Sequence, residues 1–98
     1  MEIVFGVVYH SAVVREDIPH LDEVWRVTIK NAIERKLTTH PDVHGKPLRR
    51  SLKGYRALRV GDYRVIFRIE KRSIKILAIL HRSDAYRKMD KRALSARR

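Results

Sequence analysis

Residues 55–81 read YRALRVGDYRVIFRIEKRSIKILAILH, and the spacing of apolar side chains and turn residues along them decides the fold. Three runs rich in Val, Ile, Leu, Phe and Tyr, at 55–60, 63–70 and 73–80, are each separated by two residues. β-Branched and aromatic side chains favour a pleated backbone, so each run is predicted as a strand. Gly61 and Asp62 match a two-residue hairpin loop with glycine first, where the backbone must turn left-handed. Lys71 and Arg72 make the second link, without the favoured glycine or asparagine. The prediction is a three-stranded antiparallel meander.

Tight turns fix the pairing, and alternation then assigns every side chain to a face. Val60 is expected opposite Tyr63, Arg59 opposite Arg64 and Leu58 opposite Val65. Across the second turn Ile69 meets Ile74, Phe67 meets Ile76 and Val65 meets Ala78. One face collects Leu58, Val60, Val65, Phe67, Ile69, Ile74, Ile76 and Ala78, and is the predicted core face. The other collects Tyr55, Arg59, Arg64, Ile66, Arg68, Lys75, Leu77, Ile79 and, where the strand persists, His81. On it Arg59 faces Arg64 and Arg68 faces Lys75, each pair costing about 0.2–1 kcal/mol relative to a neutral pair. Only Asp62, in the turn, is expected to interleave an acid there. A sheet needing stability alone would place opposite charges at these positions. A surface for phosphates explains the pattern, and a merely solvated basic face is the alternative. Tyr55 either stacks a base amid the positive charge or packs on its strand neighbour.

Working outward, residues 2–9 read as a strand. Ser11 is placed to cap a short helix through Val14 and Glu16, which Pro19 ends or kinks. Asp22 and Glu23 supply the negative charge that a helix start favours. Trp25, Ile29, Ala32, Ile33 and Leu37 then recur at three- and four-residue spacing, predicting a helix over 22–37. Residues 38–47 hold two prolines and a glycine and are predicted as loop. Ser83 or Asp84 caps a C-terminal helix reaching about Ser95, with Ala85, Met89, Ala93 and Ala96 as its weak apolar stripe. The expected fold is α+β: an N-terminal strand, two helices, the three-stranded antiparallel meander and a C-terminal helix, in a single domain over 1–98.

Ninety-eight residues support one modest core. The absence of cysteine excludes disulfides, thiolate metal sites and a cysteine nucleophile. The formal charge is +12, and it is lopsided: residues 1–45 carry five basic and seven acidic side chains, residues 46–98 eighteen and four. The second half is built to meet a polyanion. The apolar run 3–9 is far shorter than a membrane span, and Glu2 is wrong for the basic start of a signal peptide, so a soluble cytoplasmic protein without membrane contact is expected. His40 and His44 flank Asp42 but lack a fourth ligand, so no metal is expected there. His10 and His20 carry no constellation.

The run LKGYRALRVGDYRVIF at 52–67 resembles the central hairpin of the RelE/ParE toxin superfamily, and ILAILHRSDAY at 76–86 resembles the last strand and catalytic tail of its RelE branch. The element order is similar over nearly the whole chain. The resemblance implies a toxin of a toxin–antitoxin pair, with a cognate antitoxin that covers the basic surface. In the RelE branch such toxins are metal-independent ribonucleases that cut mRNA in the ribosome and need no cofactor. In the ParE branch they poison DNA gyrase and lack the catalytic set. A non-catalytic nucleic-acid-binding module or degenerate toxin is a third reading. By position the resemblance gives Arg64 the scissile phosphate, Arg82 the role of C-terminal catalytic arginine, and Tyr86 base stacking or proton transfer. Lys53, Arg56 and Arg59 lie where relatives place lysines, at a spacing shorter by one residue.

Cleaving RNA through its own 2′-hydroxyl needs a base, cations for the crowded phosphorane, and an acid for the leaving 5′-oxygen. Arg64 and Arg82 suit the cationic task, because guanidinium groups bind phosphate oxygens bidentately and stay charged. For that reason neither serves as a base. Lys53, His81 and Tyr86 are the candidates for proton transfer, His81 being the imidazole that the expected register puts on the basic face. Lys53, Tyr55, Arg56, Arg59, Arg68 and Lys75 are assigned to RNA binding. No carboxylate falls at a matching position.

Overall fold

A computed structural model describes residues 4–84 and Arg92. Its five strands are β1 (Gly6–Tyr9), β2 (Lys46–Pro47), β3 (Arg56–Val60), β4 (Tyr63–Glu70) and β5 (Ser73–His81). They form one sheet in the order β1-β5-β4-β3-β2. The meander β3-β4-β5 is antiparallel as predicted, and β1 joins it beside β5 in parallel. The expected loop at 38–47 contains a short helix as well as β2, which pairs with β3 through Lys46 and Pro47. Two residues at a sheet edge, one of them proline, carry no strand signal.

Helical backbone begins at Ser11, but its first free N–H, on Ala12, is met by Nδ1 of His10 at 3.0 Å. A wide π-type turn over Val13–Asp17 and a tighter turn over Ile18–His20 follow, the latter holding Pro19. Helix α1 (Glu23–Ala32) starts where its charge pattern predicts, with an Asp22 oxygen accepting the Trp25 N–H at 2.9 Å. It runs on as a wide turn over Ile33–Leu37, and α2 (Pro41–His44) closes the helical half. Val13, Leu21, Ile29, Ile33 and Leu37 pack on Leu58, Val65, Phe67, Ile74, Ile76 and Ile79 to form the main core.

Both predicted hairpins are present. Val60 pairs with Tyr63, Arg59 with Arg64 and Leu58 with Val65. Gly61 has φ +58°, and a Cβ there would stand 2.4 Å from the Trp25 ring, so glycine is required on two grounds. In the second turn Lys71 takes φ 57°. A side chain in that left-handed conformation costs about 1–2 kcal/mol, which glycine would avoid.

The register then departs from expectation. Ile69↔Ile74, Arg68↔Lys75 and Phe67↔Ile76 pair as predicted, but Ile66 meets Ala78 and Val65 meets Ile79. β5 has one residue more than β4 across this stretch, and the extra residue is Leu77. Such a bulge reverses every later side chain. Ile79 joins the main core, where Ala78 was expected, and His81 pairs with Tyr63 on that same side. Ala78 and Leu80 move to the face of Arg64.

That second face is also not open in its middle. Leu52, Tyr55, Ile66, Leu77, Ala78 and Leu80 form a second buried cluster, with Leu48 and Ala57 against it. Charge is thereby confined to the margins of the face. The expected C-terminal helix lies outside the described residues, except for Arg92, which is helical.

Candidate functional site

The β3–β4 turn gathers basic side chains from β3, β4 and the end of β5. Arg59 is exposed and sits opposite Arg64. Nη1 of Arg64 folds back over the turn and donates to the carbonyls of Gly61 and Tyr63 at 3.1 and 3.0 Å. Arg82 arrives from the end of β5, its backbone N–H donating to the Asp62 carbonyl at 2.7 Å. Its Nε lies 4.0 Å from an Asp62 carboxylate oxygen, both side chains being more than 60% exposed. An ion pair so exposed contributes little, so Arg82 can exchange Asp62 for a phosphate. The glycine turn thus brings three guanidinium groups to one end of the sheet.

His81 stands beside this group, but on the Tyr63 side of the sheet. Its ring meets that of Tyr63 edge-on at 5.4 Å, and Tyr63 in turn lies 5.0 Å from Trp25. Nδ1 of His81 accepts the Ser83 backbone N–H at 3.2 Å and lies 2.8 Å from the Ser83 hydroxyl. A backbone N–H can only donate, so the neutral ring carries its proton on Nε2. The Ser83 hydroxyl can accept from Nδ1 once the ring is charged.

The other predicted residues are placed elsewhere. Lys53 is exposed, ahead of Gly54. Tyr55 is 4% exposed and packs inside the second cluster. Arg68 lies over its ring at 5.7 Å and pairs with Glu70 at 2.6 Å. Glu70 therefore interleaves an acid on a face where only Asp62 was expected. Lys75 is half-buried beside Arg68. Arg56 points to the helical side, where its Nη1 donates to the carbonyls of Gly45 and Asp42 at 2.9 and 3.2 Å and ties down the end of α2. Tyr86 lies outside the described residues.

A cavity of about 790 Å³ opens between the first helical turn and the end of β5, lined among others by His10, Arg15, His20, Tyr63, His81 and Arg92. Asp17, at its wall, went unread in the sequence, because a lone aspartate after Glu16 gives no sign of burial. The bulge did leave a sign: Ile76 to Leu80 are five apolar residues in a row, which breaks the two-residue period. Burial and the nearby Glu34 carboxylate push the Tyr9 phenol above its ordinary value. Among the described residues no three His, Asp or Glu side chains are grouped to hold a metal ion, and no helix is long and apolar enough to cross a membrane.

The family model of the ParE toxin of type II toxin–antitoxin systems (parDE) matches residues 11–86, and the chain belongs to that family. It is 33% identical over 84 residues to toxin RelE of Mycobacterium tuberculosis, covering 81% of this chain and 87% of that one. With toxin RelG of the same organism it shares 44% identity over 54 residues, 53% of this chain and 62% of the other. A crystal structure of the RelBE2 toxin–antitoxin complex of M. tuberculosis superposes with a TM-score of 0.76 at 30% identity, over 84% of this chain and 95% of that one. The protein is a toxin of a toxin–antitoxin system.

Proposed function

We propose that this toxin is a metal-independent, ribosome-dependent mRNA endoribonuclease of the RelE kind, acting in the cytoplasm as one domain over 1–98 and held inactive by a cognate antitoxin. The observation that carries the reading is the group Arg59, Arg64 and Arg82 around one turn. Three permanent cations carried around one turn suit the charge that builds on a phosphorane during attack by the 2′-hydroxyl. Arg64 and Arg82 hold the scissile phosphate, and Arg59 with Lys53 steers the strand toward them. Proton transfer falls to His81, one residue from Arg82, with Tyr86 and Lys53 as the other carriers. As an imidazolium, His81 would give up the Ser83 backbone N–H, direct its new Nδ1–H to the Ser83 hydroxyl and offer Nε2–H to the leaving 5′-oxygen. Arg68, Lys75, Arg56 and Tyr55 support the sheet behind this edge.

The matching family model is that of ParE, which favours gyrase poisoning as the second reading. One experiment separates the two. Purified toxin is added to an in vitro translation reaction, and mRNA 5′ ends are mapped by primer extension beside an Arg64→Ala, Arg82→Ala double variant. Ribosome-dependent cuts that fall by about 100-fold or more in the variant are expected. Intact mRNA together with trapped gyrase–DNA complexes overturns the ribonuclease reading.

A further inference from the structure

Asp17 takes no part in the chemistry above, yet it is the buried charged residue among those described, 8% exposed. A carboxylate removed from water is costly unless hydrogen bonds and an opposite charge offset the loss. Asp17 has both. Its Oδ2 accepts the backbone N–H of Ile79 at 2.9 Å and the Arg92 guanidinium at 2.5 Å. Arg92, with its side chain 13% exposed, also reaches Glu16 at 3.3 Å and the Leu77 carbonyl at 3.5 Å.

The position of these contacts gives them a purpose. β1 leaves the sheet after Tyr9, which pairs with Ile76. Beyond Ile76, β5 has β4 on one side and an open edge on the other. The bulge at Leu77 reverses the peptide groups that follow, so the Ile79 N–H faces the open edge instead of β4. Asp17 supplies the acceptor that β1 no longer provides, and Arg92 supplies a donor to the Leu77 carbonyl. A slip back by one residue would turn the Ala78 N–H outward and remove Ile79 from the core. The same slip would exchange the faces on which residues 80, 81 and 82 emerge.

We propose that Asp17, with Arg92 as its counter-charge, is a positioning residue that locks the bulged register of β5 and so sets where Arg82 and His81 stand relative to Arg64. The catalytic consequence rests on the ribonuclease reading, whereas the register lock does not. Two variants of the full chain test it. Asp17→Asn keeps an oxygen acceptor for Ile79, and Asp17→Ala removes it.

In Asp17→Ala, kcat for mRNA cutting on programmed ribosomes is expected to fall about tenfold to a hundredfold, while KM moves by less than about twofold. Asp17→Asn is expected to restore most of kcat. By NMR, the Ile79 amide exchanges faster and the contact between the His81 and Tyr63 rings is lost in Asp17→Ala, and both persist in Asp17→Asn. Unchanged Ile79 protection and an intact ring contact in Asp17→Ala overturn the proposal. So does a loss of activity shared equally by both variants and proportional to their unfolded fractions. If the wild-type protein cuts no mRNA, the ribonuclease reading falls, and the two NMR readouts alone decide the register lock. If Asp17→Ala does not fold, Arg92→Leu decides in its place: faster Ile79 exchange supports the lock, and unchanged exchange overturns it.

Discussion

The two parts of β5 obey different rules. Residues 73–76 lie between β1 and β4, pair with both, and alternate as the sequence predicts. Residues 77–81 have β4 alone, run one residue out of step, and carry the segment that leads to Arg82. The first part is held by backbone pairing on both edges. The second is held by backbone on one edge and by side chains, Asp17 and Arg92, on the other. Regular pairing thus ends where the candidate site begins. Breaks in a ladder are a common means of re-aiming a side chain.

The most direct way to erase this difference is to delete Leu77. Ladder and alternation would then run unbroken, with Ala78 still opposite Ile66, Ile79 opposite Val65 and Leu80 opposite Arg64, each on its present face. What is lost is the Leu77 side chain, buried in the second cluster, and truncation of one buried aliphatic side chain costs about 2–5 kcal/mol, so a loss of that order is expected in thermal unfolding. Phe67→Ala strikes the regular part, where Phe67 faces Ile76 and is fully buried. A loss of about 3–5 kcal/mol is expected in urea titration. Gly61→Ala acts at the site end of the hairpin. The left-handed backbone and the Trp25 ring oppose the new methyl group, and a loss of about 1–3 kcal/mol is expected, with a change in Trp25 fluorescence.

The hairpins were legible because a two-residue turn is a local event. Gly61 needs only its own φ to be recognised, and the pairing of Arg59 with Arg64 follows by counting. Asp22 and the spacing of Trp25, Ile29, Ile33 and Leu37 were readable for the same reason. The bulge left only the unbroken apolar run Ile76 to Leu80 as a sign, because what makes it tolerable is far away in sequence. Asp17 and Ile79 are 62 residues apart, and nothing near Leu77 announces that β1 stops at Tyr9. The error carried straight to the site: counting put His81 beside Arg64, whereas the bulge puts it across from Tyr63. The surroundings of Arg56 and Tyr55 are illegible for a different reason: charge and aromaticity do not reveal that a carbonyl or an apolar cluster will claim the side chain.

Two smaller effects sharpen the contrast between function and stability. Arg59→Ala relieves a like-charged pair and is expected to raise stability by about 0.2–1 kcal/mol in thermal unfolding. If Arg59 meets RNA, the same change lowers the slope of log affinity against log salt by about 0.7. A stabilised variant with an unchanged salt slope would remove Arg59 from the interface. Tyr9 belongs to the regular end, on the strand whose departure creates the open edge. Its raised value means that unfolded chains give up the phenolic proton before folded ones do. Stability held below pH 10 is then lost as the pH rises toward the folded value. Tyr9→Phe is expected to flatten that alkaline decline in urea titrations above pH 10 and to leave stability near pH 7 little changed.

The sequence by itself determined the strand order within the meander, its first turns, the helix that covers it and the excess of positive charge. These depend on side chains within a few residues of one another, where periodicity and turn preference act directly. Only the tertiary structure decided which face receives Ile79 and His81, which basic groups are free, and that Asp17 is buried. Those outcomes depend on where distant segments end and which of them meet. A strand's register can be counted from its turn only until a remote partner stabilises an extra residue.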